Sequence, residues 1–358
     1  MKITVIGGGN IGTQFAVHCS QQNDTCIYTS TPEVFIPDIR IIDENSRITL
    51  KGKNIRATYD ADIAFENADY IFITYPAFMH GKIAEDLLLF AHDGLHIGII
   101  PGTGGGECAF REHIKKGAAL FGLQRVPSVA RLTEKGKEVR AVGYRAQLYV
   151  AALPHEKTRK IARTVEDIFG ISCDSMPNYL NLTLTPSNPI LHTTRLRTLF
   201  GDYREGVFYD RVPLFYEEWN DESSELLFKC DAEVQQICAA LSEFDLSFVK
   251  SLKDHYENHT IQGFSAKLRS ITGFKGLPSP MIKTDRGYIP DFSSRYFSAD
   301  FPYGLSILVQ IGEFLGLNIS NMKETLEWYR KVSDNTDEFS FTDFGINDLE
   351  SFLKFYRT

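Results

Sequence analysis

The stretch KITVIGGGNIG, residues 2–12, decides the fold of the first half of the chain. A short apolar, β-branched run containing Ile3, Val5 and Ile6 leads straight into Gly7, Gly9 and Gly12, and an amphipathic segment follows over residues 10–21. This is a strand, a G-x-G-x-x-G turn and a helix in immediate succession. The first glycine permits the tight turn, the second lets the backbone approach a pyrophosphate, and the third lets helix and strand pack closely. The helix start adds unpaired N–H groups and a partial positive charge that favour phosphate. Gly7, Gly9, Asn10, Ile11 and Gly12 are therefore candidate cofactor contacts.

Outward from that turn, short β-rich runs at 25–29, 69–74 and 96–100 alternate with helix-like stretches at 79–90 and 107–116. Strands separated by helices imply parallel pairing, because a parallel connection has to cross one sheet face. Residues 139–153 read as one or two strands and 156–169 as a helix. From about residue 187 helical periodicity dominates, clearest over 222–244, 246–258 and 304–315. Segment 270–302, rich in Gly, Pro, Ser and Tyr, reads as a long ordered loop. The expectation is a Rossmann-type α/β domain over residues 1–186, with a doubly wound parallel sheet. An all-helical substrate domain follows over 187–358, with a cleft between the two.

With 358 residues, 43% hydrophobic and 23% charged, the chain is globular, and its length suits two domains. A net charge of −8 argues against a nucleic-acid partner, since phosphate backbones need clustered Lys and Arg. No apolar run approaches the ~20 residues that cross a bilayer, so no membrane association is expected. The N-terminus enters a strand directly, without the apolar core of a signal peptide. Six cysteines without paired spacing read as buried reduced thiols, which points to the cytoplasm. A homodimer is compatible with the helical half.

The end of the second strand tunes cofactor choice. NAD-binding turns place an acid there for the ribose hydroxyls. Here the run is CIYTSTP, residues 26–32, with hydroxyls at Thr29 and Ser30 and no acid. That favours NADP, with NAD as the alternative, and asks Arg40, Lys51 or Lys53 to reach over to a 2′-phosphate. A second glycine cluster, PGTGGGE at 101–107, lacks the Lys-Ser/Thr of a P-loop. It sits at the carboxyl end of a strand, where Thr103 can meet a substrate; a permissive turn is the plainer reading.

Among nine histidines, His255 and His259 lie one helical turn apart, but no third ligand accompanies them, and no metal is expected. His192 stands out. It ends TPSNPILH, residues 185–192, at the domain junction, where two prolines restrict the backbone and Asn188 lies four residues earlier.

The SNPILH segment, with FYEEWNDESSELLFKCDAEVQQI after it and RYFSADFPYGL later, resembles the octopine/nopaline (opine) dehydrogenases over nearly the whole chain. The resemblance implies an NAD(P)H-dependent reductive condensation of an amino acid amine with an α-keto acid such as pyruvate. It implies that His192 is the catalytic histidine, Asp300 its carboxylate partner, Asn188 a neighbour of the keto acid, and Arg295 a group reaching the cofactor pyrophosphate. Ala130 stands where some members carry a cysteine near the substrate. Independently, hydride reduction needs a proton donor within about 3 Å of the developing charge, and a histidine beside a buried aspartate can hold one. Two rivals are a simple 2-keto acid reductase of the ketopantoate type, which would place a lysine as donor, and a non-catalytic NAD(P)-sensing protein. No lysine lies in SNPILH.

Overall fold

A computed structural model describes residues 1–335 and 337–357. The chain divides into two compact units, 1–183 and 184–357.

In the first unit, eight strands form one sheet: β1 (Lys2–Ile6), β2 (Asp24–Tyr28), β3 (Arg56–Thr58), β4 (Tyr70–Ile73), β5 (His96–Ile99), β6 (Ala119–Leu123), β7 (Gln147–Leu153) and β8 (Ser172–Ser175). Their order is β3-β2-β1-β4-β5-β6-β7-β8. All neighbours run parallel except β6 and β7. The order reverses between β1 and β4, and such a switch opens a crevice at the carboxyl ends of the strands. β4 and β5 are buried at every position, which explains their unbroken apolar runs. Helix α1 (Asn10–Cys19) lies against β1 and β2, and its Phe15 packs edge-on to Phe72 and Phe169. A separate four-stranded sheet is built from Ile48–Lys51, Arg40–Ile42, Glu138–Val142 and Val129–Glu134.

The second unit is helical, around α2 (Asn188–Leu199), α3 (Asp221–Ala240), α4 (Ile261–Ser270), α5 (Ser306–Phe314) and α6 (Ser320–Ser333). Two local expectations fail. Residues 246–258 do not form one helix; only Leu252–His255 does. There the Asp245 carboxylate accepts from the Ser247 N–H (3.0 Å), a local turn that competes with a helical ladder. The Ser251 hydroxyl accepts from the Asp254 N–H (3.2 Å) as the N-cap of the short helix, so the chain starts afresh at Leu252. The segment read as a loop contains an antiparallel hairpin, Met281–Thr284 with Gly287–Pro290, extended by a bridge from Tyr288 to Tyr209. Among the described residues no helix is long and apolar enough to cross a membrane, and no group of His, Cys, Asp and Glu could hold a metal. The six cysteines are unpaired, five of them buried.

His18, His80 and His113 are buried, and burial lowers the pKa of each to about 4. Their rings are neutral in the fold, whereas an unfolded histidine takes up its proton near pH 6.5. Between those values the unfolded chain binds more protons, so stability falls as pH falls. Urea unfolding is expected to show a loss of several kcal/mol from about pH 7 to pH 4.5, on the order of 2–3 kcal/mol per ring. A midpoint constant over that window would contradict this reading.

Candidate active site

In the glycine turn, two positions require glycine for the chain's own packing and the third does not. Gly7 has a φ of 110°, a left-handed conformation that L side chains rarely adopt, and a Cβ there would also stand 2.7 Å from Thr74 Oγ1. On Gly12 a Cβ would overlap the Gly7 carbonyl oxygen, so α1 can approach β1 only without one. Gly9 differs: nothing lies within 4 Å of where its Cβ would be. The packing of this chain gives no reason for a glycine there, and an approaching pyrophosphate does. The turn therefore fits the dinucleotide that its pattern implies. Asn10 has a partly structural task, because its Oδ1 accepts from the Leu132 N–H at 2.8 Å and ties the turn to the smaller sheet. Ile11 is half-buried and packs on the core.

Thr29 and Ser30 do lie just past β2, with Thr29 buried and Ser30 exposed. The three cations that would complete a 2′-phosphate site are engaged elsewhere. Arg40 pairs with Glu138 (3.3 Å), Lys51 with Asp38 (2.7 Å), and Lys53 Nζ donates to the Gln21 carbonyl (3.2 Å).

The second glycine cluster follows β5 at the same carboxyl edge. Gly104 and Gly105 have positive φ (93° and 73°), and a Cβ on Gly102 would stand 2.7 Å from the Gly122 Cα. Turn geometry and packing thus account for these glycines. Thr103 is half-buried at the head of the loop. Glu107, the last residue of that cluster and not assigned from sequence, is fully buried and accepts from the Thr183 hydroxyl at 2.5 Å. That bond ties the glycine loop to the last residue of its unit.

In the second unit, Asn188 opens α2 with Pro189 beside it, as suits a first turn whose N–H groups need no helical partner. His192 is one turn further on, 8% exposed. Its Nδ1 lies 2.8 Å from Asp300 Oδ2 and its Nε2 lies 2.8 Å from the Tyr216 hydroxyl. Asp300 sits between the short helix Arg295–Ser298 and a π-helical turn, Phe301–Leu305, in which the Leu305 N–H reaches back to the Asp300 carbonyl. Gly304 of that turn presses on α2, since a Cβ there would stand 2.8 Å from Pro189 Cγ. The absence of a side chain at 304 lets the aspartate and the histidine meet.

Two further residues hold the ring, and sequence reading assigned neither. The Tyr216 ring stacks on Phe274 (4.1 Å) and on Trp219 (6.3 Å). Arg195, nearly one turn beyond His192 on α2, is 2% exposed. Its Nε donates to the Phe215 carbonyl (3.1 Å), its Nη2 to the Glu218 carbonyl (2.8 Å) and its Nη1 to the Ser223 hydroxyl (3.2 Å). Burial pulls its pKa down to about 10, and the carbonyl cage fixes the 215–220 segment that carries Tyr216. The Tyr296 ring tilts over His192 at 4.6 Å, while the adjacent Arg295 is exposed and forms no ion pair among the described residues. Asn188 is also exposed.

Chemically, an ionised Asp300 holds the proton of the neutral ring on Nδ1, leaving Nε2 to accept from Tyr216. When the ring takes a second proton, Nε2–H becomes the donor. A proton can thus be held and released at one defined atom.

Residues 175–333 match the family model described as NAD/NADP octopine/nopaline dehydrogenase, alpha-helical domain. Residues 2–102 match the N-terminal model of NAD-dependent glycerol-3-phosphate dehydrogenase. Over residues 175–333 the chain is thus similar to the helical domain of the octopine/nopaline dehydrogenases. It is 25% identical to the tauropine dehydrogenase of Arabella iricolor, over 92% of this chain and 91% of that one. It is 24% identical to the octopine dehydrogenase of Pecten maximus, over 80% and 75%. A structure of octopine dehydrogenase with NADH and L-arginine superposes with a TM-score of 0.85 at 21% identity, covering 99% of this chain and 98% of that one. A ketopantoate reductase from Ralstonia eutropha JMP134 reaches 0.62 at 12% identity, covering 93% and 99%. Together the two matched domains and these relatives support an NAD(P)-dependent oxidoreductase with a Rossmann-type first unit and a helical second one.

The two glycines of the turn separate binding from folding. Gly9→Ala is expected to unfold like the parent yet bind the reduced dinucleotide at least about tenfold more weakly, because the methyl group points into open space. Gly12→Ala is expected to lose several kcal/mol of stability, on the order of an overpacked core. Cofactor fluorescence titration and urea unfolding of both variants check this; equal behaviour of the two would contradict it.

Proposed function

We propose that this protein is an opine dehydrogenase, joining the amino group of an amino acid to an α-keto acid such as pyruvate. Amine and keto acid lose water to give an imine; the imine then takes up a hydride and a proton to give the secondary amine. The bound dinucleotide supplies the hydride. His192 supplies the proton, as general acid, from Nε2. Asp300 stabilises the imidazolium and fixes the ring, and Asn188 and Thr103 help to hold the keto acid. Arg295, exposed and without a counter-ion among the described residues, is available to the cofactor pyrophosphate.

The observation that carries this reading is the doubly held imidazole, 2.8 Å from a carboxylate on one side and 2.8 Å from a hydroxyl on the other. Tyr216, held at Nε2, relays the proton: its hydroxyl accepts from Nε2–H while it donates its own proton to the substrate. A positioned acid of this kind contributes about 10²–10⁴ in rate. Purified protein is expected to oxidise the reduced cofactor only when both pyruvate and an amine from a panel of amino acids are present. His192→Ala should lower kcat by that factor. Turnover with a keto acid alone would replace this reading by a simple keto acid reductase, and tight cofactor binding without any turnover would favour a sensor.

For the cofactor, our reading is NADH rather than the NADP that the missing acid alone suggests. The missing carboxylate removes a repulsion, but a 2′-phosphate also needs a cation, and Arg40, Lys51 and Lys53 each have another partner. The value of kcat/KM for NADH is expected to exceed that for NADPH by about tenfold or more. A preference for NADPH would show that one of these cations leaves its partner for the phosphate.

A further inference from the structure

His192 is held at both nitrogens, and the face of its ring is covered as well. The Tyr296 ring stands over it, with centroids 4.6 Å apart and planes at 43°. Phe215 meets the imidazole almost at right angles, at 5.5 Å and 89°, and also packs on Tyr296 at 4.8 Å. Tyr296 belongs to the short helix Arg295–Ser298, just ahead of Asp300. One stretch of chain thus brings a carboxylate to the edge of the imidazole and an aromatic ring to its face. Against a neutral imidazole such a ring provides dispersion and apolar cover, which a leucine also provides. Against a cation it adds the attraction of the π face, which acts within about 6 Å of the centroid. The contact therefore favours the protonated state selectively.

We propose that Tyr296 is a positioning residue that acts through His192: its π face stabilises the imidazolium from which the proton is delivered. The proposal rests on the reading of His192 as general acid. The other ionisable groups around the ring are placed differently. Asp300 stands at Nδ1 and the Tyr216 hydroxyl at Nε2, both at the ring's edge. Arg195, on the same helix, turns its guanidinium to the Phe215 and Glu218 carbonyls and lies in the field of Glu218 and Glu222. The Glu218 carboxylate is itself held by Arg211 (2.8 Å), and Arg295 is exposed. Helix α6 meets α2 through Trp328, with Arg197 over its ring at 5.5 Å. The face of the imidazole is left to Tyr296, with Phe215 beside it.

The pH dependence of kcat in the reductive direction separates this role from mere packing. The reaction needs the protonated ring, so the rate falls as pH rises through the ring's titration. Loss of the π face favours the neutral ring and should move that fall to lower pH, by about half a unit to one unit. Tyr296→Leu is expected to show the shift. Its deficit against the parent should be about three- to tenfold larger above the fall than on the low-pH plateau. Tyr296→Phe keeps the face and should move less than half as far. NMR titration of the His192 ring in the cofactor-free protein and both variants reads the same shift without turnover. It therefore tests Tyr296 even if the protein proves not to reduce imines. A titration that does not move in Tyr296→Leu, with the rate lowered equally at every pH, would overturn the proposal. So would a shift as large in Tyr296→Phe as in Tyr296→Leu.

Discussion

An imidazole ring has two nitrogens, and here each is tied to a different stretch of chain. His192 reaches Asp300, 108 residues on, through Nδ1, and Tyr216 through Nε2. Much of the helical unit can be read as the means of keeping those two bonds short. Pro189 starts the helix that presents the ring. The π-helical turn after Asp300 lets the chain carry a carboxylate to that helix, and Gly304 gives the close approach. On the other side Arg195, a buried cation bonded to backbone carbonyls, secures the strap that carries Tyr216. A guanidinium taken so far from water is expensive unless its donors are satisfied, and the Phe215 and Glu218 carbonyls and the Ser223 hydroxyl satisfy them. Proton chemistry at one atom rests on this local over-determination.

The first unit solves a different problem, the approach of backbone to phosphate. Its three motif glycines serve unlike ends. Gly7 and Gly12 are demanded by the chain's own packing, while Gly9 leaves a space that the chain does not fill. The second glycine cluster is explained by left-handed turns and by contact with Gly122, so its resemblance to a ligand loop is shared with an ordinary tight corner. Composition could not separate the two cases; the direction of a missing Cβ does.

Legibility followed the range of the forces involved. The strand–turn–helix of residues 2–19 is local, and the parallel order of the sheet follows from buried apolar runs such as YIFI at 70–73. His192 was visible because prolines and Asn188 crowd around it, and Asp300 entered through the resemblance to opine dehydrogenases. Tyr216 stood in the aromatic-rich segment after His192 without being singled out, and Arg195 was not visible, because their importance lies in contacts with residues 20 or more positions away. Residues 246–258 misled for the opposite reason: helical periodicity was present, but Asp245 bonds the Ser247 N–H in a turn and Ser251 caps a separate short helix that starts at Leu252. The hairpin at 281–290 escaped because its strands are only four residues each and mostly half-buried, without the alternation that a buried sheet face imposes.

The central claim is that His192 and Asp300 act as one unit. A double-mutant cycle on kcat for the reductive reaction, with His192→Ala, Asp300→Ala and the pair together, tests it most directly. If Asp300 works through the histidine, the double variant is no slower than His192→Ala alone, because the aspartate has nothing left to hold. If the losses of the two single variants multiply instead, Asp300 acts on the reaction by another route, and the doubly held imidazole is not the source of the proton.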